Sequence, residues 1–243
     1  MSALPSFNRK AVRPVECLEA GFALIKDQYW LFVGISVVGI LIASVVPLGI
    51  LMGPMMCGIY LTLFQHMRGG KIEFPMLFKG FDHFVESLIA TLLYFIPIIV
   101  LLVPLYGFVV ASIFFLTRHN GATQPAPGTV ALFVVGFSLF TLVIIVASFA
   151  VAVMFTFAYP LIVDRRLSGV EAVKLSIKAG LANFWGLVGL LLLNAVMGIV
   201  GMLLCYVGVF LVLPVNFAGN AIAYRQVFGL GAPPAPAVPP PVI

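Results

Sequence analysis

The sequence predicts an all-α polytopic protein, a transmembrane helix bundle of about six spans, and three observations carry that prediction. The 243 residues are 63% hydrophobic and only 9% charged, whereas a soluble domain is about half apolar and about one quarter charged. Four long apolar runs cover residues 29–67, 84–117, 129–163 and 184–224. Within these runs the only Asp, Glu, Lys, Arg or His residues are His66 and Glu86, each near the end of a run.

The lengths of the runs and their breaks set the number of spans. A transmembrane helix needs about 20 apolar residues to cross roughly 30 Å of hydrocarbon. The first run is interrupted around Pro47 and Pro54 and the last, more weakly, at 206–208, so each is predicted to hold two spans. The two middle runs are too long for one vertical span and too short for two, and each is assigned one. The second of them has no proline or glycine between Gly136 and Pro160, which predicts one long helix.

Basic residues orient the six spans. Twelve of the thirteen Lys and Arg residues precede span one, lie between spans two and three or four and five, or follow span six. Only Arg118 falls on the opposite side, and seven spans would separate Arg225 from the other eleven. Loops rich in Lys and Arg are the cytoplasmic ones in membrane proteins. We therefore expect a multi-pass protein with both termini in the cytoplasm.

Two short stretches indicate an internal repeat. KDQYWLFVG at 26–34 is echoed by LANFWGLVG at 181–189, and residues 16–34 align with 171–189 without a gap. The only two tryptophans of the chain fall in register, each after an aromatic residue. These four rings are predicted to be interfacial anchors, because amphipathic aromatic rings prefer the membrane surface: Tyr29, Trp30, Phe184 and Trp185. Chance similarity between two apolar stretches is the alternative.

Each copy begins with an amphipathic segment on the predicted cytoplasmic side, and a third, more divergent copy is FPMLFKGFDHF at 74–84. The predicted repeat units are about 14–68, 74–163 and 169–228, each an interfacial helix and a helical hairpin. Spans one and five both run outward, so the repeat is parallel. A polar segment, 1–13, precedes this membrane domain of 14–229, and a proline-rich tail, 230–243, predicted to be disordered, follows it.

The order of several motifs resembles a known group of proteins. The motifs are GPMMCGIYLTLFQHMRGG at 53–70, FPMLFKGFDHF at 74–84, YPLIVDRRLSGVEAVKLSIKAGLANFW at 159–185 and LPVNFAGNAIAYRQVFG at 213–229. They resemble a broad group of uncharacterised bacterial integral membrane proteins, which are similar to the membrane domain attached to some glycerophosphodiester phosphodiesterases. The resemblance covers residues 14–229. It implies a polytopic protein of the bacterial inner (plasma) membrane and carries over no catalytic residues.

Polar residues within the predicted spans are the candidate intramembrane contacts: Asn194, Asn216, Asn220 and Thr62. Asn216 and Asn220 are four residues apart and share a helix face. Two interpretations are open for the set. The residues line a polar path, or they bond neighbouring helices, which is the favoured interpretation because such residues commonly join membrane helices.

The sequence shows no pattern that predicts a catalytic, cofactor-binding or metal-binding site. The interiors of the spans lack Asp, Glu, Lys and Arg, which argues against proton pumps, voltage sensors and aspartyl intramembrane proteases. Asp82, His83 and Glu86 at the start of span three are interpreted as an interfacial polar cluster rather than as a metal site or a catalytic group. Cys57 and Cys205 fall on one side, and we favour two buried apolar side chains over a disulfide.

These features predict a non-enzymatic, structural or regulatory membrane component of a larger assembly. The alternative is a transporter or channel-like carrier of a small neutral or lipidic solute, which an internal repeat would suit. The expected partners are the lipid bilayer and either another membrane protein or further copies of the chain. Neither nucleic acid nor a cofactor is expected.

Overall fold

The computed structural model describes residues 6–45, 49–119, 127–204 and 207–231. Over these residues the chain is an all-α polytopic helix bundle, as predicted, with nine α-helices. They are α1 (Pro14–Ile25), α2 (Tyr29–Val45), α3 (Met52–Met67), α4 (Phe84–His119), α5 (Pro127–Phe155), α6 (Ala158–Arg165), α7 (Gly169–Ala182), α8 (Phe184–Leu203) and α9 (Val207–Phe228). A short 3₁₀ turn, Lys26–Gln28, joins α1 to α2, and a longer 3₁₀ segment, Phe74–His83, leads into α4.

Within the described residues, five helical segments are long and apolar enough to cross a membrane: Pro14–Val45, Phe74–Phe115, Val130–Arg165, Phe184–Leu203 and Val207–Phe228. The remaining predicted span corresponds to α3, which has only 16 residues. At 1.5 Å per residue, α3 is about 24 Å long. It is the central helix of the bundle, and eleven of its residues are buried.

The 3₁₀ segment Phe74–His83 packs directly against the backbone of α3. A Cβ atom at Gly58 would overlap the carbonyl oxygen of Leu77, and one at Gly80 would overlap the carbonyl oxygen of Pro54. Glycine at both positions lets the two backbones meet. The surrounding core is formed by Met55, Ile59, Leu63, Phe64 and Leu77, all nearly inaccessible to solvent.

Helices α1 and α9 also meet through glycine. A Cβ atom at Gly21 would lie 2.7 Å from the backbone nitrogen of Gly219. The buried stripe of α1 is Cys17, Gly21 and Ile25, whereas Val15 and Phe22 are exposed. The small-residue face of α1 therefore packs on the bundle, and a bulky apolar face is left outside.

Helices α2 and α8 begin at aligned positions of the predicted repeat, Tyr29 and Phe184. A break precedes each start, the 3₁₀ turn at Lys26–Gln28 before α2 and Asn183 before α8. Helix α4 likewise begins at an aromatic residue, Phe84, after its own 3₁₀ segment. The repeat itself remains a prediction.

The long helix predicted across 129–163 forms one helical segment, Val130–Arg165, but a two-residue break divides it into α5 and α6. Pro160 has no backbone N–H to donate, and its ring crowds the carbonyl of Thr156, four residues earlier. The backbone N–H of Phe157 donates instead to the hydroxyl of Ser176 at 3.1 Å. The Ser176 hydroxyl in turn donates to the carbonyl of Met154 at 2.7 Å.

Replacing Ser176 by alanine is expected to lower the free energy of unfolding by about 1–3 kcal/mol, because a buried N–H and a buried carbonyl would lose their partner. Thermal unfolding in mild detergent measures the effect. Ser138→Ala is the matched control, since the exposed Ser138 hydroxyl donates only to Val134 of its own helix. Equal melting temperatures for the two variants would contradict this assignment of the break.

Helices α4 and α5 extend beyond the α2–α3 hairpin. A Cβ atom at Gly53 would lie 2.6 Å from the carbonyl oxygen of Ser87, and one at Gly49 would lie 2.8 Å from the ring of Phe95. Gly49, just before α3, therefore lies beside the fourth turn of α4. Further along, Phe108 packs on the rings of Phe133, Phe137 and Phe140 of α5, at centroid distances of 6.4, 6.4 and 6.0 Å.

Candidate functional site

A large polar cavity opens where α3, the 3₁₀ segment Phe74–His83 and α6 meet, and we call it the basic cavity. Its volume is 630 Å³. Its lining residues are Leu61, Phe64, Gln65, Arg68, Lys71, Glu73, Met76, Lys79, His83, Val163, Asp164, Arg165 and Arg166. Five Lys and Arg side chains face two acids, so the lining carries an excess of three positive charges.

Asp164 organises the inner wall of the basic cavity. Its side chain is fully buried and lies 2.5 Å from Nη2 of Arg68 and 3.3 Å from Nε of Arg165. It also accepts a hydrogen bond of 2.8 Å from the Tyr224 hydroxyl and one of 2.9 Å from the backbone N–H of Gly231. Both carboxylate oxygens are therefore occupied by groups of the protein itself.

The two arginines beside Asp164 have more donors than the protein supplies with acceptors. Arg68 also donates to the carbonyl of Gly231 at 3.2 Å, and Arg165 donates to the carbonyl of Phe228 at 2.8 Å. The Nε atom of each guanidinium is buried without a hydrogen bond, although that of Arg165 lies within ion-pair distance of Asp164. The inner wall thus holds two cations in fixed positions and has spare donor capacity.

The outer wall of the basic cavity carries three exposed cations. Lys71, Lys79 and Arg166 are exposed, and the ion pairs found among the described residues involve Arg13, Arg68 and Arg165 but none of these three. Arg166 caps α6 in the left-handed conformation, with φ of 50°. The excess of positive charge in the lining would attract an anion.

Sequence reasoning placed these cations on one side of the membrane but did not predict that they share a cavity. They come from three places in the chain, the end of α3, the 3₁₀ segment and the end of α6. The sequence did contain one indication of a shared location, because each group of cations lies near the end of an apolar helix. Their convergence depends on how α3 and α6 pack, which the spacing along the chain does not encode.

The predicted intramembrane polar residues separate into three environments. Asn194 on α8 donates to the side-chain oxygen of Asn220 on α9 at 3.4 Å. Thr62 is buried and donates to the carbonyl of Gly58 in its own helix at 2.9 Å. The side-chain oxygen of Asn216 is buried without a partner. Among the four residues, the described hydrogen bonds join only Asn194 and Asn220.

Asn220 borders a second cavity, which we call the tyrosine cavity. Its volume is 250 Å³. Its lining residues are Met52, Met56, Tyr60, Tyr94, Ala152, Phe155, Thr156, Tyr159, Leu191 and Asn220. The hydroxyl of Tyr159 lies 3.0 Å from that of Thr91. The sequence analysis did not identify this group, because the tyrosines come from separate helices and each alone resembles a core residue.

The predicted interfacial anchors differ in exposure. Trp30 and Trp185 are 74% and 81% exposed. Tyr29 is half-buried, and its hydroxyl donates to the carbonyl of Leu211 at 2.6 Å. Phe184 packs edge-on against Trp185, with 5.4 Å between ring centroids.

The other candidate groups have the following places. Glu86 accepts a hydrogen bond from the backbone N–H of Gly169 at 2.5 Å and so caps the start of α7. His83 lines the basic cavity. Within the described residues no three His, Cys, Asp or Glu side chains are grouped as a metal site would need. Cys57 is buried, and Cys205 lies outside the described residues.

Comparisons with known proteins return no family model, no curated protein and no solved structure that matches this chain. The five long apolar helical segments of the described residues indicate that the chain is a membrane-embedded protein.

Proposed function

We propose that this protein is a non-enzymatic, structural or regulatory component of a larger membrane assembly. The α4–α5 hairpin is the observation that carries the proposal. Helix α4 has 36 residues and α5 has 29, which gives lengths of about 54 and 44 Å. Both exceed the hydrocarbon thickness of roughly 30 Å, so the hairpin must tilt, bend or project.

The outer part of this hairpin exposes large apolar side chains along both helices. Val100, Val103 and Tyr106 of α4 are examples, as are Leu132 and Leu139 of α5. Lipid covers such surface within the bilayer, but it does not cover surface that projects beyond it. A membrane-protein partner, or a second copy of the chain, would cover that surface in an assembly.

The intramembrane polar residues also support an assembly role rather than transport. Thr62 bonds its own helix, and Asn194 bonds Asn220 across the α8–α9 pair. These are contacts that hold helices together. The competing function, a carrier of a small neutral or lipidic solute, is favoured by the tyrosine cavity, which has hydroxyl and amide groups and a volume of 250 Å³.

The proposal places the chain in the bacterial inner membrane with both termini in the cytoplasm. The twelve-to-one distribution of Lys and Arg supports this orientation. The aligned starts of α2 and α8 support a parallel internal repeat. On the motifs at 53–70, 74–84, 159–185 and 213–229, we place the chain beside the uncharacterised membrane proteins that it resembles.

Gly107→Leu is expected to remove a protein partner that co-purifies with the tagged wild-type chain. Gly107 lies on the outer part of α4, and a side chain there would meet no atom of this chain within 4 Å. The variant should therefore fold normally and disturb only contacts with another molecule. Extraction in a gentle detergent at native expression, followed by mass spectrometry of proteins and lipids, measures the partner's stoichiometry.

Gly198→Leu on α8 is the matched control, because that glycine also faces open space. We expect it to retain the partner. If the wild-type chain carries no stoichiometric protein and is not itself oligomeric, the assembly role is wrong. A specific solute found in its place would favour the carrier function and lead to flux assays in liposomes.

A further inference from the structure

We propose that the basic cavity binds the phosphate-bearing headgroup of an anionic phospholipid. This inference does not depend on whether the chain is an assembly component or a carrier. It starts from the size of the cavity, 630 Å³, which lies within the range of roughly 300–1,000 Å³ found for small-molecule sites.

The ligand must be an anion rich in hydrogen-bond acceptors. Asp164, the fully buried acid of the cavity, already accepts from Arg68, Tyr224 and Gly231. The side chains of Arg68 and Arg165 line the cavity and are 20% and 28% exposed, so each guanidinium still presents N–H donors to a ligand there. A phosphate group presents several strong acceptor oxygens, and guanidinium groups bind it with suitable geometry.

The exposed cations of the cavity also call for an anionic ligand. Lys71 and Lys79 reach the cavity from the loop after α3 and from the 3₁₀ segment, and Arg166 reaches it from the end of α6. None of the three belongs to an ion pair found among the described residues. Glu73 is the remaining acid in the lining and cannot neutralise all three.

The position and the apolar part of the lining favour a lipid over free phosphate. Arg68 immediately follows α3, and Arg165 ends α6, so both cations lie where helices of a membrane bundle end. Basic pockets between transmembrane helices on the cytoplasmic side bind anionic headgroups. Leu61, Met76 and Val163 line the same cavity and would contact the apolar start of a lipid chain.

Titration with phosphatidylglycerol tests the proposal. The full-length chain in neutral detergent should melt at a higher temperature as phosphatidylglycerol is added, because a ligand that binds only the folded state stabilises it. Phosphatidylcholine, whose phosphate is neutralised by choline, should have a much smaller effect. The double variant Lys71→Gln/Lys79→Gln should bind phosphatidylglycerol roughly 10- to 30-fold more weakly, from about 1 kcal/mol for each surface cation.

Lys174→Gln/Lys178→Gln is the matched control, since it removes the same charge from exposed positions on α7 that do not line the cavity. It should bind phosphatidylglycerol as the wild-type chain does. Equal losses in the two double variants would overturn the proposal, because the attraction would then be general. Equal stabilisation by phosphatidylcholine would overturn it as well.

A titration with inorganic phosphate alone distinguishes a lipid headgroup from a soluble phosphate compound as the ligand. Millimolar phosphate without lipid should leave the melting temperature of the wild-type chain unchanged. If it instead reproduces the full shift, and Lys71→Gln/Lys79→Gln abolishes that shift, the ligand is a soluble phosphate compound and the assignment to a lipid is wrong.

Discussion

Gly58→Val should prevent the bundle from folding, or leave it strongly destabilised. The Cβ position at Gly58 overlaps the carbonyl oxygen of Leu77. A backbone oxygen cannot be moved by choosing another rotamer, so the 3₁₀ segment Phe74–His83 would have to leave α3. Overpacking a core typically costs about 1–3 kcal/mol, and we expect this variant to exceed that range because the obstacle is backbone. The fraction of monodisperse protein after extraction and its melting temperature measure the effect.

Gly198→Val provides the comparison for this variant. It makes the same change in helix propensity on α8, where no atom of the chain lies within 4 Å of the new Cβ. It should melt close to the wild-type temperature. If Gly58→Val also melts there, the close approach of α3 and the 3₁₀ segment does not exist in solution.

Asp164→Asn is expected to lower the free energy of unfolding by about 3–5 kcal/mol, the usual cost of removing one partner of a buried ion pair. Asp164 is fully buried, and the side chains of Arg68 and Arg165 are only 20% and 28% exposed. Both guanidinium charges would remain in the wall without a counter-charge. Thermal or denaturant unfolding in detergent measures the difference.

Glu73→Gln serves as the control for Asp164→Asn. Glu73 lines the same cavity but is exposed, and it forms none of the ion pairs found in the described part of the chain. Its replacement should change stability by less than about 0.5 kcal/mol, as is usual for surface positions. A double variant, Asp164→Asn/Arg68→Gln, should recover part of the loss, because it also removes one of the stranded charges. Equal stability of Asp164→Asn and Glu73→Gln would contradict the organising role of Asp164.

Local features of the sequence predicted much of the fold. Hydropathy identified the apolar helices, and the aromatic residues Tyr29 and Phe184 marked where α2 and α8 begin. These features depend on residues near one another in the chain. Helix α4 runs without interruption through Pro97 and Pro104, consistent with the single span assigned to that run.

The errors and omissions concern contacts between distant residues. The break between α5 and α6 follows from Pro160 acting on the preceding turn, together with an acceptor, Ser176, from α7. The basic cavity forms where Arg68 and Arg165 meet around Asp164. Arg68 is 96 residues away from Asp164 in the chain. Counting charges on each side of the membrane grouped these cations but could not show that they line one cavity.

We infer that the chain crosses the membrane with its basic cavity at the cytoplasmic face. Single-cysteine labelling with a membrane-impermeant maleimide tests it at two exposed positions, with Lys71→Cys in the cavity and Gly128→Cys at the start of α5. We predict that Lys71→Cys is labelled in inverted inner-membrane vesicles but not in intact spheroplasts, and that Gly128→Cys shows the reverse. Labelling of Lys71→Cys from the outside, or of both positions from the same side, would contradict the account.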